Sequence, residues 1–108
     1  MTPQLSSPPG WVYYLGREGD QRMIVGLNLR VDHDGRQYHV QVEDLGEAKA
    51  CFEVRLHEGG GIRWSKQVSY QDILAQGLAR AEQDEAIRSS MEKMLHTVAT
   101  AIARGKLP

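Results

Sequence analysis

Cysteine is nearly absent from this chain. Cys51 is the only one in 108 residues, which excludes an internal disulfide framework and a cysteine-rich zinc site, and suits the reducing cytoplasm. Charge of one sign is missing too. Thirteen Lys plus Arg stand against fourteen Asp plus Glu, a formal charge of −1, so the surface as a whole is no polyanion trap, although a local basic patch stays open. No apolar run approaches the about 20 residues of a membrane span, and the N-terminus lacks the charged-then-apolar pattern of a signal peptide, so no membrane partner is expected. Three of the four prolines fall in residues 1–10 and the fourth is Pro108. No hydrophobic period runs through that opening stretch, which reads as a flexible tail. Residues 11–108 then have the length of a single domain that buries roughly two-thirds of its surface without staples.

From Trp11 to about Val68 the apolar residues alternate, and turn signals interrupt them at short intervals, the pattern of an antiparallel meander. Trp11, Tyr13 and Leu15 make a first strand ahead of a hairpin at Arg17-Glu18-Gly19-Asp20. In the second, Met23, Val25, Leu27, Leu29 and Val31 point one way. Asp34-Gly35 supplies the two positive-φ positions of a tight turn, and pairing His33 with Arg36 sets Val31 opposite Tyr38, Leu29 opposite Val40 and Leu27 opposite Val42, all on one face. A strand from about Lys49 to His57 places Ala50, Phe52, Val54 and Leu56 inward. After Gly59-Gly60-Gly61, the last strand places Ile62, Trp64 and Val68 inward.

Beyond Val68 the period becomes helical and lasts to Arg104, where Gly105 and Pro108 supply the stop. Ser69 with Asp72 resembles a capping box. One helix of that span would be about 50 Å long, more than the sheet covers. The apolar faces also disagree. Leu74, Leu78 and Ala81 share one side, whereas Ile87, Met91, Met94, Val98 and Ile102 lie about a third of a turn away, with Glu82-Gln83-Asp84-Glu85 between them. The spacing therefore predicts a break near Gln83, Asp84 as the cap of a second helix, and Gly77 as a point of close approach to the sheet. The fold class is two-layer α+β: an antiparallel meander sheet of four to five strands, one face covered by a C-terminal helical pair or kinked long helix.

Chemistry is sparse in the pattern. His33, His39, His57 and His96 include no helical i, i+4 pair, and Asp32-His33-Asp34-Gly35 lacks the later ligands of a calcium loop, so neither a metal nor a cofactor is expected. Cys51 alternates outward beside Glu43, a poor place for a thiolate. No serine sits on a strand-to-helix elbow, and the glycine run lacks the lysine and helix of a phosphate loop. The expectation is a non-enzymatic protein.

Two surfaces remain as candidates. The stripe Ile87, Met91, Met94, Leu95, Val98 and Ile102 approaches heptad spacing and outruns its sheet; it is either core or the interface of a homodimer or of another protein partner. The alternative is a nucleic-acid or anion contact on the open face of the sheet. A register setting Val40 opposite Val54 and Val54 opposite Trp64 would align Arg30, His39, Arg55 and Arg63 in one row, where like charges cost stability unless an anion holds them. Sliding the last hairpin by two residues removes that row and pairs Arg63 with Glu53. The strand aromatics, Tyr14 apart, alternate inward, which leaves little for base stacking.

Overall fold

The computed structural model describes residues 26–107. The expected tail, the strand at Trp11–Leu15 with its hairpin, and Met23 and Val25 lie outside the described residues. Four strands form one antiparallel sheet in chain order, β1 (Gly26–His33), β2 (Arg36–Asp44), β3 (Cys51–Glu58) and β4 (Gly61–Ser69), followed by a one-turn helix α1 (Gln71–Leu74) and a long helix α2 (Arg80–Ala103). This is the two-layer α+β meander that the alternation predicts. Among these residues no helix is long and apolar enough to cross a membrane.

Turn chemistry sets the hairpins. Asp34 and Gly35 take φ of 55° and 76°, and Gly59 and Gly60 take 63° and 86°, so both tight turns use two left-handed positions, which match the twist of the strands they join. Between β2 and β3 the chain makes a five-residue turn closed by Ala50 at φ 53°, whose amide bonds to Gly46 O at 2.8 Å. Ala50 is buried, as expected, although from the turn and not from a strand.

The first hairpin has the predicted register, with Leu27 opposite Val42, Leu29 opposite Val40 and Val31 opposite Tyr38. The next two pairings are displaced. Val40 faces Leu56, Val42 faces Val54, and Trp64 faces Leu56. The five-residue turn starts β3 at Cys51 rather than at Lys49, which moves the β2–β3 partners by two positions, whereas the β3–β4 register follows from the Gly59-Gly60 turn and an irregularity beyond it. A bulge then lies where Leu56 pairs with Trp64 and His57 with Ile62, leaving Arg63 as the extra residue. An extra residue reverses alternation, so Ile62, expected inward, sits opposite His57 and is 60% exposed.

The helical half also breaks earlier than the spacing predicts. Gly77 takes φ 67°, a conformation that ends a helix at little cost only for glycine. It separates α1 from α2 instead of easing a helix onto the sheet. Asp84 lies inside α2, whose N-cap is Ala79 without a side-chain cap. Ser69 Oγ accepts from the Gln71 amide at 3.2 Å, but the N-cap of α1 is Tyr70. Gly105, at φ 72°, ends α2 as expected.

The core lies between α2 and one sheet face: Leu27, Leu29, Val31, Val40, Val42, Phe52, Val54 and Leu56 from the strands, and Ile87, Met91, Leu95, Val98, Ala99 and Ile102 from α2. Tyr70 joins it, 2% exposed, with its hydroxyl donating to Asp44 Oδ1 at 2.6 Å and its amide to Ala50 O at 2.9 Å. These bonds tie the start of α1 to the β2–β3 turn.

Candidate functional site

The observed register takes the open-face arginines apart. Arg30, His39 and His57 share one row, Arg55 belongs to the neighbouring row with Asn28, Gln41 and Ser65, and Arg63 stands at the bulge. Each arginine has a carboxylate. Arg30 makes two bonds of 3.1 Å to Asp32, Arg63 pairs with Glu58, and Arg55 reaches Glu43 at 3.0 Å and Glu53 at 2.9 Å. The Arg55 contact has a clear cause: Glu43 lies directly opposite Glu53, a like-charge pair that costs stability unless a cation joins it. The hydrogen bond that Arg55 donates to Glu53 is the foremost reason its guanidinium is held above its already high ordinary pKa; burial opposes it, and the nearby charges of Glu53 and Glu43 add to it. Among the described residues the face carries no surplus of positive charge, and the row that motivated an anion contact is not formed. Cys51 lies opposite Ser69, buried, with Sγ 4.0 Å from Gln67 Oε1, rather than beside Glu43.

The helical stripe belongs to the chain's own core. Ile87, Met91, Leu95, Val98 and Ile102 are buried, and Met94 is half-buried at its margin. At 24 residues, α2 is about 36 Å long. Its first buried residue is Ile87, and the turns before it lean on the β2–β3 turn through Arg80 and Gln83, which both bond to Glu47. The stripe is therefore not available to a second chain.

The helix is set off-centre on the sheet. It packs on β1 and β2, touches β3 lightly and makes no substantial contact with β4. Along one core-side row, Leu27, Val42 and Val54 are essentially buried, and the row ends in exposed Lys66. The adjoining β4 positions on that face, Trp64 and Val68, are half-buried, as are Ile73 and Leu74 of α1. An apolar strip thus lies beside the β4 edge, with Lys66 between Trp64 and Val68 and exposed Asp72 beside Ile73. Neither Lys66 nor Asp72 has an ion-pair partner among the described residues.

Sequence reading missed this flank, yet the signal was present. Ile62, Trp64, Lys66 and Val68 alternate, and a lysine at the inward position of a strand marks either an edge or a contact surface. Comparison of the chain with protein-family models, curated proteins and solved structures finds no match.

Proposed function

We propose that the chain is a non-enzymatic interaction module of the cytoplasm that pairs with a second copy of itself through the β4–α1 flank. The observation that carries this reading is the off-centre seat of α2, which leaves Trp64, Val68, Ile73 and Leu74 half-covered around two opposite charges that have no ion-pair partner among the described residues. A two-fold interface is self-complementary: whatever residue i meets on the other copy, that residue's counterpart meets i in return. Lys66 against Asp72 of the partner subunit satisfies this twice in one dimer, with the apolar strip desolvated between the two pairs. The contact is face to face. Extension of the sheet edge to edge is opposed by the bulge at Arg63 and the charge of Lys66, both devices that discourage strand addition.

Such a patch is small for a protein interface, so a weak dimer is expected, with Kd on the order of 10–100 µM. Sedimentation equilibrium from low micromolar to about 1 mM concentration spans that range. A monomer–dimer equilibrium that weakens in Trp64→Ala supports the reading. A monomer throughout, or a dimer indifferent to Trp64→Ala, overturns it.

A further inference from the structure

The open face of the sheet carries a second feature, independent of the flank. His39 and His57 are direct cross-strand partners on β2 and β3, and with Arg36, Gln41 and the Glu58–Gly60 turn they line a depression of about 740 Å³. Glu58 is the only carboxylate among its described lining residues, and it is shared by two guanidiniums, Arg36 at 3.4 Å and Arg63. The other charges that face the two rings are already matched. Arg30, opposite His39 on β1, is taken up by Asp32, and Arg55, two residues before His57, by Glu43 and Glu53. Ile62, opposite His57 on β4, brings none. His57 Nε2 lies 2.9 Å from Gln41 Oε1. An amide oxygen only accepts, so Nε2 carries a proton and, in the neutral ring, Nδ1 is an acceptor. Protonation keeps that bond and turns Nδ1 into a second donor. The Gln41 amide nitrogen and the His39 ring have no hydrogen-bond partner among the described residues.

From this arrangement we infer that the depression is a binding site for a tetrahedral oxyanion of the phosphate or sulfate type, held by the Arg36 guanidinium, the Gln41 amide nitrogen and the imidazolium forms of His39 and His57, and engaged as the pH falls. It shares only His39 with the four-residue row that the register dissolves. With neutral rings the corner is close to balanced, Arg36 and Arg63 standing against Glu58. Histidine gains its charge between about pH 8 and pH 5, so acidification adds two positive charges and converts an acceptor nitrogen on each ring into a donor. Directly opposed residues have Cβ atoms about 4.5–5.5 Å apart, and like charges so placed cost stability. An anion shared by the two rings removes that cost, so binding and protonation favour each other. The guanidinium fork and the N–H donors suit oxygen acceptors arranged as in phosphate or sulfate. The depression is larger than one such anion, which leaves room for the organic part of an ester.

The test is titration of the untagged full chain with sodium sulfate, whose own charge is constant over this range, against NaCl at equal ionic strength. Amide and histidine ring signals in NMR are followed at about pH 6 and about pH 8. Saturable shifts centred on Arg36, His39, Gln41 and His57 are expected at the lower pH, with Kd on the order of 1 mM. Binding should be at least about fivefold weaker at the higher pH. By the same coupling, sulfate should keep the His39 and His57 rings protonated to higher pH and leave those of His33 and His96 unmoved. Arg36→Gln should weaken binding by about tenfold, and Glu58→Gln should tighten it. Inorganic phosphate and glycerol 3-phosphate at about pH 6 distinguish the sources of the anion: tighter binding of the ester assigns the site to a phosphorylated small molecule, and equal binding to the free anion, the site standing in both cases. The ring signals of the unmodified chain decide the matter even if a variant folds poorly. Absence of saturable shifts at the lower pH, equal affinity at both pH values, or shifts centred on His33 or His96 overturns the inference.

Discussion

The two ends of the sheet are built from the same alternating pattern but have different neighbours. At β1 and β2 the inward residues Leu27, Leu29, Val40 and Val42 are sealed beneath α2; at β4 the inward residues are Trp64, Lys66 and Val68, and the described helices make no substantial contact with that strand. The same side of one sheet thus serves as core at one end and as surface at the other. What decides between them is where the chain leaves the sheet. After β4, α1 lasts a single turn, Gly77 breaks it, and α2 then runs back over the first hairpin, leaving the last strand as the margin.

The comparison is broken most directly by truncating α2 at two adjacent positions. Leu95 is fully buried, so Leu95→Ala should cost about 3 kcal/mol, the ordinary penalty for a cavity in a packed core. Met94, one residue earlier and half-buried, should cost no more than about 1 kcal/mol as Met94→Ala, because the site stays open to water. Urea unfolding at low protein concentration measures both, and equal penalties would mean that α2 has no sealed and unsealed sides. On the opposite face, Arg55→Leu leaves Glu43 facing Glu53 without the shared cation and should destabilise by about 1 kcal/mol, less at high salt. The smallest change sharpens the picture of the β2–β3 turn that anchors Tyr70. Ala50 holds φ 53°, a left-handed conformation that costs a non-glycine residue about 1–2 kcal/mol. Glycine relieves that strain but adds unfolded-state entropy, for a net gain of about 0.5 kcal/mol in Ala50→Gly. A loss of stability there would show that burial of the Ala50 methyl outweighs the strain.

Much of the fold was legible because the controlling signals are local. Asp34-Gly35 and the glycine run specify two-residue turns, and alternation through Val31 and Tyr38 to Val42 admits a single register once the turn is placed. The β2–β3 connection was not legible in the same way. Its register hangs on Ala50, a residue with no preference for positive φ, so counting back from Val54 put the arginines two positions from where they stand. The bulge at Arg63 has no sequence signature either, and it alone carries Ile62 to the other face. The Ile87–Ile102 stripe was visible as a stripe, but its partner was not: 3.6-residue spacing marks an apolar face without naming what covers it. Gly77 fits close packing as well as termination in the sequence, and only its backbone angle distinguishes the two. For the candidate site, the inward Lys66 was the available clue, obscured by the expectation that Ile62, Trp64 and Val68 form a continuous inward row.

The β4–α1 flank as a two-fold contact rests on Lys66 meeting Asp72 across the axis, and charge exchange tests that pairing most directly. Sedimentation equilibrium at low salt would compare the parent chain with Lys66→Asp, Asp72→Lys and the double variant carrying both changes. Each single reversal sets like charges against each other at both ends of the interface and should weaken association by about 10–100-fold. The double variant restores opposite pairs and should recover most of the parent affinity. A double variant as weak as the singles, or single reversals that leave the dimer unchanged, would contradict the pairing and with it the placement of the interface on this flank.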